Sequence, residues 1–466
     1  MANGLVYDVH DKPKFPQLLV FAIQQLLAIM AATITVPMIV GNGMSISAAL
    51  FGAGIGTLVY QLFTKFRSPV FLGSSFAFIG SMLAAFAGAI SNVYLGYLGL
   101  LIGAAFAALV YVILAVIVKY AGTAWINKIM PAAVIGPTVA LIGLSLAGAA
   151  VNDVFSYGEK VTFGLSSYFK MTGAIWVSVV CALVTFAVVV LCSVYGKKMV
   201  KLIPFIIGIL AGYATALIFT VIGYAAGADA LKVIDFAPFR ALVADGVTLS
   251  TFLSVPDFTF VKAFKGLESF EWSYLATVAI AYTPVAFVVF AEHLADHKNL
   301  SSIIGKDLIS DPGLDKTLLG DGVGSFAGAL FGGCPNTTYG ESVGCVAITK
   351  NASVTTITVT AIISMIASFI SPLVAFLDSI PGCVMGGVCI TLYGFIAVSG
   401  LKMIQKVDLE NNANLFTVSA ILIPGIGGMA MAIGGKVFIT PVACALILGI
   451  ITNLVLNKFK KADKDD

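Results

Sequence analysis

The sequence has little charge. Only 11% of its 466 residues are Asp, Glu, Lys or Arg, whereas soluble domains carry about 25%. Apolar side chains make up 59% of the chain. A soluble protein of this composition could not cover its surface with polar groups. We therefore exclude a soluble enzyme and a disordered regulator, and we predict an all-α polytopic membrane protein whose partner is the lipid bilayer.

Arginine and paired cysteine motifs are also scarce. Arg67 and Arg240 are the two arginines and the formal net charge is +3, so a nucleic-acid-binding surface is excluded. The seven cysteines are odd in number, and none forms a CxxC motif with a second pair. This pattern indicates neither a disulfide framework nor a zinc site, and it is typical of small residues packed in membrane helices.

Long stretches without Asp, Glu, Lys or Arg predict the membrane spans. A crossing helix needs about 20 apolar residues, and residues 15–64 and 68–118 are each long enough for two crossings. Shorter uncharged runs cover 129–152, 171–196, 202–228, 272–291, 322–340, 351–377, 379–401, 411–435 and 437–457. The sum is about fourteen spans. With both termini cytoplasmic, most Lys and Arg residues fall on the inner side, as the positive-inside rule requires.

Residues 229–271 form the one long polar interruption. This stretch divides the membrane part into halves, 15–228 and 272–457. Because each half has an odd number of spans, seven, the second half enters the membrane from the opposite side. This orientation is typical of two inverted repeats. The third span of each half contains a small, polar run that disfavours helix, at 71–76 and 333–340.

Three acidic residues lie within apolar spans: Glu292, Asp296 and Glu341. A carboxylate at the bilayer centre costs about 2.5–3.5 kcal/mol on insertion scales, so such residues face a protein interior or a watery cavity. Glu292 and Asp296 are spaced i, i+4 and share a helix face. Two nearby carboxylates repel each other, which raises the proton affinity of at least one of them. The pattern predicts a site that binds and releases a proton.

The segment from Pro335 to Glu341 predicts a broken helix. Lipid cannot satisfy the backbone groups that Pro and Gly leave free, so such breaks occur inside protein or beside a cavity. The N–H groups at a half-helix start can donate to a ligand, while Phe76 and Tyr339 offer flat apolar faces. No Lys or Arg lies in this cluster. The pattern therefore favours a neutral, planar, hydrogen-bonding solute over an anion.

Several short motifs resemble one transporter family. In their order along the chain, they are similar to those of the nucleobase–cation symporter-2 (nucleobase–ascorbate transporter) family, with the pattern of its bacterial uracil-transporting members. The Asn-Thr-Thr-Tyr-Gly-Glu run with Thr-Lys eight residues after the Glu is the most specific motif. The matching residues are Gly73–Phe78, Ala291–His293, Lys306–Leu308, Asp311–Leu314, Asn336–Glu341, Ala347–Lys350, Met385–Val388 and Tyr393.

The resemblance implies a fold and an activity. The fourteen spans would form two inverted seven-span repeats, with short antiparallel strands in spans 3 and 10. Family members import a nucleobase with protons and often act as homodimers, so we expect a multi-pass protein of the bacterial cytoplasmic membrane. Neither an enzymatic activity nor a cofactor is expected, the proton being the coupling ion. The implied domains are the core (15–120 and 272–377), the gate (125–228 and 379–457) and an extracellular linker (229–271).

The resemblance also implies roles for individual residues. Glu292 and Glu341 are expected to bind the substrate, and Glu292 and Asp296 are expected to couple transport to protons. The other expected substrate contacts are Phe76 and Tyr339 at the ring faces, the Gly340 backbone, Tyr393 from the gate side and Ala32 on span 1.

Three departures from the family pattern bear on these roles. Ser342 replaces the Asn that follows the acidic residue, Asp296 replaces a His, and Gln25 replaces a His in span 1. Proton coupling through Glu292 and Asp296 is therefore expected in place of a glutamate–histidine pair. Glu341, where purine-selecting relatives often have Gln, favours uracil.

Other functions remain open at this point. A xanthine or purine permease, an anion transporter of the same inverted-repeat plan and a passive channel are the alternatives within transport. An intramembrane enzyme could use the carboxylates as general acid and base, but no partner nucleophile or metal set accompanies them. His293 and His297 beside Glu292 and Asp296 could suggest a metal; we interpret both histidines as ordinary residues near a span end, and expect no metal site.

Overall fold

The computed structural model describes residues 4–89, 92–163, 166–433 and 437–465. The described chain is mostly helical. Its first part, up to residue 145, contains six helices: α1 (Phe15–Val40), α2 (Ile46–Phe63), α3 (Ile79–Gly88), α4 (Val93–Ala121), α5 (Ala124–Ile129) and α6 (Ala132–Ser145). A 3₁₀ turn (Phe76–Phe78) leads into α3.

The remaining helices continue to the end of the described chain. Residues 146–255 contain α7 (Ala147–Val154), α8 (Gly173–Tyr195), α9 (Met199–Leu202), α10 (Pro204–Ala226), α11 (Ala237–Ala241) and α12 (Leu249–Phe252). The last part contains α13 (Thr259–Gly266), α14 (Trp272–Ile304), α15 (Leu314–Gly332), α16 (Gly340–Thr349), α17 (Val354–Ala367), α18 (Ser371–Asp378), α19 (Gly382–Ile404), α20 (Asn412–Ile426) and α21 (Pro441–Asp465).

Six short strands pair as three antiparallel ribbons. They are β1 (Leu72–Ser74) with β4 (Asn336–Thr338), β2 (Glu159–Phe163) with β3 (Ser166–Lys170), and β5 (Met431–Ile433) with β6 (Val437–Ile439). β1 and β4 lie in the two runs that the sequence marks as unfavourable to helix. The other two ribbons are local hairpins that the sequence analysis did not foresee.

Local sequence explains where several helices begin and end. Ser45 and Asn92 cap α2 and α4 by accepting hydrogen bonds from backbone N–H groups of the first turn, which would otherwise lack partners. α20 is shorter than the uncharged run 411–435 suggests and ends at Ile426. Gly427 follows, and Gly428 has φ +72°, a left-handed conformation that favours glycine and ends a helix.

Among the described residues, eight helices are long and apolar enough to cross a membrane. They cover residues 15–40, 46–63, 93–121, 132–154 (α6 and α7 taken together), 173–195, 204–226, 272–304 and 382–404. Four shorter apolar helices lie at 76–88, 354–367, 412–426 and 441–457. The chain is thus a multi-pass membrane protein, and the count of fourteen spans stays a prediction.

The chain forms two compact units. Unit 1 contains Met1–Ser145, Pro256–Met365 and Phe395–Asp466. Unit 2 contains Leu146–Val255 and Ile366–Gly394. Each unit combines segments distant in sequence, and the core–gate division drawn from the sequence stays a prediction.

Glycines allow α2 and α15 of unit 1 to pack closely. A Cβ on Gly52 or Gly56 would collide with the α15 backbone or with Asn336. Such small residues let membrane helices approach each other without a hydrophobic driving force. The Asn336 side chain fits between these helices and donates from Nδ2 to the Gly52 carbonyl at 3.0 Å, which anchors the start of β4.

Candidate functional site

The paired strands β1 and β4 form the centre of the site. Leu72 pairs with Thr338 and Ser74 with Asn336, and all six strand residues are buried. Gly333 ends α15 with φ +75°, and Pro335 has no N–H to continue a helical ladder. These residues force the chain out of helix before β4. Because the strands are antiparallel, the helices that follow them start from opposite ends of the ribbon.

The start of α16 is accessible to solvent, whereas the strand before it is buried. Residues 336–339 are buried, whereas Gly340 is exposed and Glu341 is half-buried. The first backbone N–H groups of a helix have no partner within that helix. The α16 start therefore presents backbone N–H groups beside a carboxylate, and a carboxylate is favoured at the positive end of a helix dipole.

Two further carboxylates approach this start from α14. Asp296 accepts a hydrogen bond from Thr338 Oγ1 at Oδ2 (3.0 Å), and a Cβ on Gly340 would lie 3.9 Å from Asp296 Oδ1. Asp296 and Glu341 lie close enough to Glu292 for their charges to interact with it. Glu292 and Asp296 are both half-buried. The structure thus brings together the three acidic residues that the sequence singled out, with the Gly340 backbone between them.

The aromatic residues lie beside this group. Tyr339 donates from its hydroxyl to the Ser74 carbonyl at 2.7 Å, and a Cβ on Gly73 would collide with its ring. Tyr339 and Ala32 are buried in one apolar cluster, and the half-buried Phe76 packs against it. Phe76 has the more accessible face, since Tyr339 is only 4% exposed.

Tyr393 lies in unit 2, on α19, and is buried. Its expected contribution from the gate side stays a prediction. The same holds for the substrate and proton roles of the other site residues.

Two of the departures from the family pattern meet each other. Gln25 on α1 donates from Nε2 to Ser342 Oγ at 2.6 Å, and the Phe71 backbone N–H donates to the same oxygen at 3.1 Å. Ser342 follows Glu341 directly. The serine therefore ties α1, the chain before β1 and the first turn of α16 to one atom, and it fixes where Glu341 lies.

The sequence analysis missed a group of polar residues behind α14. His293 and His297 are not residues near an exposed helix end, because both are fully buried. His293 Nδ1 lies 2.7 Å from Asp321 Oδ2, and Asp321 is itself 1% exposed. Asp321 went unnoticed because it borders the uncharged run 322–340 and resembles a boundary residue there.

The site carries no fixed cation in the described part of the chain. The ion pairs formed by Lys and Arg there involve Asp8, Asp229, Asp235, Asp257 and Asp311, none of which belongs to the acidic group. Carboxylates, the backbone N–H groups of a helix start and an apolar ring face suit a ligand with its own N–H donors and carbonyl acceptors.

Taken together, the multi-pass helices, the paired strands and the acidic half-helix start define a membrane transport protein. Comparison with known proteins agrees with this class. A family model described as "Permease family" (Xan_ur_permease) matches residues 16–434. The chain therefore belongs to this permease family, and the resemblance read from its motifs is confirmed.

Curated relatives match almost the whole chain. The uracil permease of Bacillus caldolyticus is 37% identical, with 97% of this chain and 95% of the relative covered. The uracil permease of Escherichia coli K12 is 33% identical, with coverage of 96% and 93%. A putative pyrimidine permease of the same organism, RutG, is 30% identical, with coverage of 93% and 88%.

Solved structures support the fold alone. The transmembrane domain of the cyanobacterial bicarbonate transporter BicA matches with a TM-score of 0.63 at 14% identity, covering 96% of this chain and all of that domain. The murine anion transporter Slc26a9 matches with a TM-score of 0.64 at 11% identity, covering 97% and 69%.

Proposed function

We propose that this protein imports uracil together with protons across the bacterial cytoplasmic membrane. The observation that carries the proposal is the meeting of Glu292, Asp296 and Glu341 at the open start of α16. Carboxylates inside a membrane protein that lack a cationic partner are costly in the ionised state, even when half-buried. Binding a proton removes that cost, and a planar ligand can use the remaining acceptors.

Uracil fits the chemistry of this group. Its ring has N–H groups that can donate to carboxylates, and carbonyls that can accept from the backbone N–H groups at the start of α16. Curated relatives named uracil permease cover nearly the whole chain. Glu292 and Glu341 would bind the base, Gly340 would donate from its backbone, and Phe76 would lie against the ring. Tyr339 and Ala32 would complete the pocket.

The proposed transport cycle depends on neutralising the negative charge of a carboxylate. Outward-facing protein binds uracil and a proton, which neutralises a carboxylate shared by Glu292 and Asp296. The neutral core then moves against the gate, and uracil and the proton are released inside. The proposed frame for this movement is fourteen spans in two inverted repeats, with β1 in span 3, β4 in span 10, both termini cytoplasmic and two chains per dimer.

Two alternatives have separate support. A xanthine or purine permease fits the family, and an anion transporter fits the fold of BicA and Slc26a9. The anion transporter is the weaker alternative because the acidic group would repel an anion. Competition of labelled uracil uptake by xanthine and by bicarbonate separates these substrates.

The test is uptake by purified protein in liposomes at two external pH values. We expect an inward proton gradient to drive uracil accumulation, and Glu292→Gln to abolish it because the amide cannot exchange a proton. Glu268→Gln, at an exposed glutamate, is the matched control and should accumulate uracil as wild type does. Full gradient-driven accumulation by Glu292→Gln would refute the proposal.

A further inference from the structure

A second polar network lies behind the acidic group, on the buried side of α14. Its members are buried side chains from three helices and one turn: His293, His297, Asp321, Thr317, Tyr60 and Ser68. The rings of His293 and His297 stack with centroids 4.0 Å apart. None of these side chains has a role in the uracil-binding group described above.

The hydrogen bonds of His297 are compatible with two protonation states, and the first is a charged ring. Nδ1 is 2.8 Å from the His293 carbonyl oxygen, which can only accept, so Nδ1 carries a hydrogen. Nε2 is 2.7 Å from Tyr60 Oη, and Tyr60 donates its hydroxyl hydrogen to Ser68 Oγ at 2.7 Å. With that hydrogen used, Nε2 must donate to Tyr60. This arrangement requires two protons on the ring, and His297 is then an imidazolium.

The same atoms also serve a neutral His297. If Nε2 loses its hydrogen, Tyr60 can turn its hydroxyl from Ser68 towards Nε2. Hydroxyl hydrogens rotate to suit their partners. The two arrangements therefore differ by one proton at His297 and by the direction of the Tyr60 hydroxyl.

His293 holds its protons differently. Thr317 donates to the Leu314 carbonyl at 3.1 Å, so His293 Nε2 donates to Thr317 Oγ1 at 3.0 Å. His293 Nδ1 and Asp321 then share one proton over 2.7 Å, and the pair is neutral as a whole. A positive charge on His297 is thus not cancelled by Asp321 and is free to act on other carboxylates.

Two carboxylates of the site are next to the two histidines along α14. Asp296 precedes His297 in sequence and Glu292 precedes His293, and the site has no Lys or Arg ion pair within the described residues. The other titratable group facing the stacked rings is Tyr111 of α4, whose ring lies 6.3 Å from that of His293. Asp321 and Asp296 act electrostatically on Tyr60 as well.

The network also reaches an exposed part of the chain. Tyr60 lies in the last turn of α2, and Ser68 follows directly after the exposed residues 65–67. Proteins move protons along such chains of hydroxyl and imidazole groups because each group both donates and accepts.

We propose that Ser68, Tyr60 and His297 form a proton path, and that the proton held on His297 offsets the negative charge of Glu292 and Asp296. In discharge, His297 Nε2 gives its proton to Tyr60, Tyr60 gives its own to Ser68, and Ser68, buried next to the exposed residues 65–67, gives its own to a water that enters there. Charging runs in reverse, and each transfer breaks one bond to hydrogen and forms another. This inference rests on the proposed proton-coupled uptake.

The test compares two assays on Tyr60→Phe in liposomes. Net uracil uptake driven by a proton gradient requires proton exchange, and we expect it to fall about tenfold or more when the path is cut. Exchange of labelled for unlabelled uracil at equal pH on both sides needs no net proton movement, so its rate should stay within about twofold of wild type. A merely structural defect would instead lower both rates.

Two further variants keep the test decisive. Ser68→Ala cuts the path but leaves the Tyr60–His297 contact in place, so it should show the same split. Tyr282→Phe is the matched control: Tyr282 is fully buried on α14, and its hydroxyl has no hydrogen-bond partner among the described residues.

The outcomes separate the two proposals. A folded Tyr60→Phe or Ser68→Ala variant with the net uptake and pH profile of wild type would overturn the proton path alone. If uracil uptake by the wild-type protein does not depend on the proton gradient, the proposed function is overturned, and the proton path with it.

Discussion

Glu292 and His293 are neighbours on α14, yet they lie in opposite settings. Glu292 is half-buried and faces other carboxylates at the start of α16, whereas His293 is fully buried and hydrogen-bonded at both ring nitrogens. A partly open group can exchange protons and contact a ligand. A buried group with all partners filled stabilises the packing of its helix. The comparison separates the side of α14 that faces the substrate group from the buried side, where His293 anchors the helix.

The largest effect is expected from breaking the anchored side. Asp321→Ala leaves His293 Nδ1 buried without an acceptor, and losing one partner of a buried pair costs about 3 kcal/mol. We expect a clear fall in melting temperature, measured by thermal unfolding in detergent. Asp245→Ala, at an exposed aspartate, should leave the melting temperature unchanged. A stable Asp321→Ala protein would mean that this face does not hold α14 in place.

Part of this arrangement could be predicted from sequence. Acidic residues in apolar spans stand out because lipid penalises them, and Pro335 with its flanking glycines predicts the break before Glu341. These local signals identified the three carboxylates and the interrupted segments. They follow from the identity of each residue and need no knowledge of its neighbours.

The buried face could not be predicted in the same way. Asp321, Tyr60 and His293 come from different helices, and nothing in one sequence says that they meet. The β2–β3 hairpin was missed because Glu159–Lys170 is short and polar, as a loop would be. The α20 end was missed because the run 411–435 contains no charge, although Gly427 and Gly428 were visible in it.

A second prediction concerns what holds the first turn of α16 in position. Ser342→Ala removes the acceptor shared by Gln25 Nε2 and the Phe71 N–H, and unmet buried donors cost about 1–2 kcal/mol. We expect weaker uracil binding because the first turn of α16 is then no longer held, measured by isothermal titration calorimetry.

Two comparisons sharpen that prediction. Ser364→Ala, at another fully buried serine that donates to a backbone carbonyl, should bind uracil as wild type does. Gln25→Ala combined with Ser342→Ala should cost less than the sum of the single changes, since the two residues share one hydrogen bond. Strict additivity would show that the Gln25–Ser342 contact has no energetic role.

The smallest effect is expected just beyond the end of α14, outside the membrane. Lys306 Nζ and Asp8 Oδ2 form an exposed pair at 2.8 Å, and the hydrogen bond from Lys306 lowers the pKa of Asp8 below its ordinary value. The pair therefore stabilises the fold above the pKa of an unfolded Asp, about 3.9, and this stabilisation is lost as the pH falls through the lowered value.

Asp8→Asn tests this exposed pair. We expect it to lower stability at neutral pH by less than about 1 kcal/mol, because solvent screens exposed charges. The difference from wild type should shrink in high salt and vanish in acid, as measured by thermal unfolding over a pH series. A loss as large as that of Asp321→Ala would contradict the contrast between exposed and buried polar groups.

The central claim is that the acidic group at the start of α16 binds the base, and a structure determined with bound uracil tests it most directly. The account predicts a uracil ring with carboxylate oxygens of Glu292 and Glu341 and the Gly340 N–H at hydrogen-bond distances of about 2.7–3.2 Å. Uracil bound elsewhere, with these three groups untouched, would contradict it.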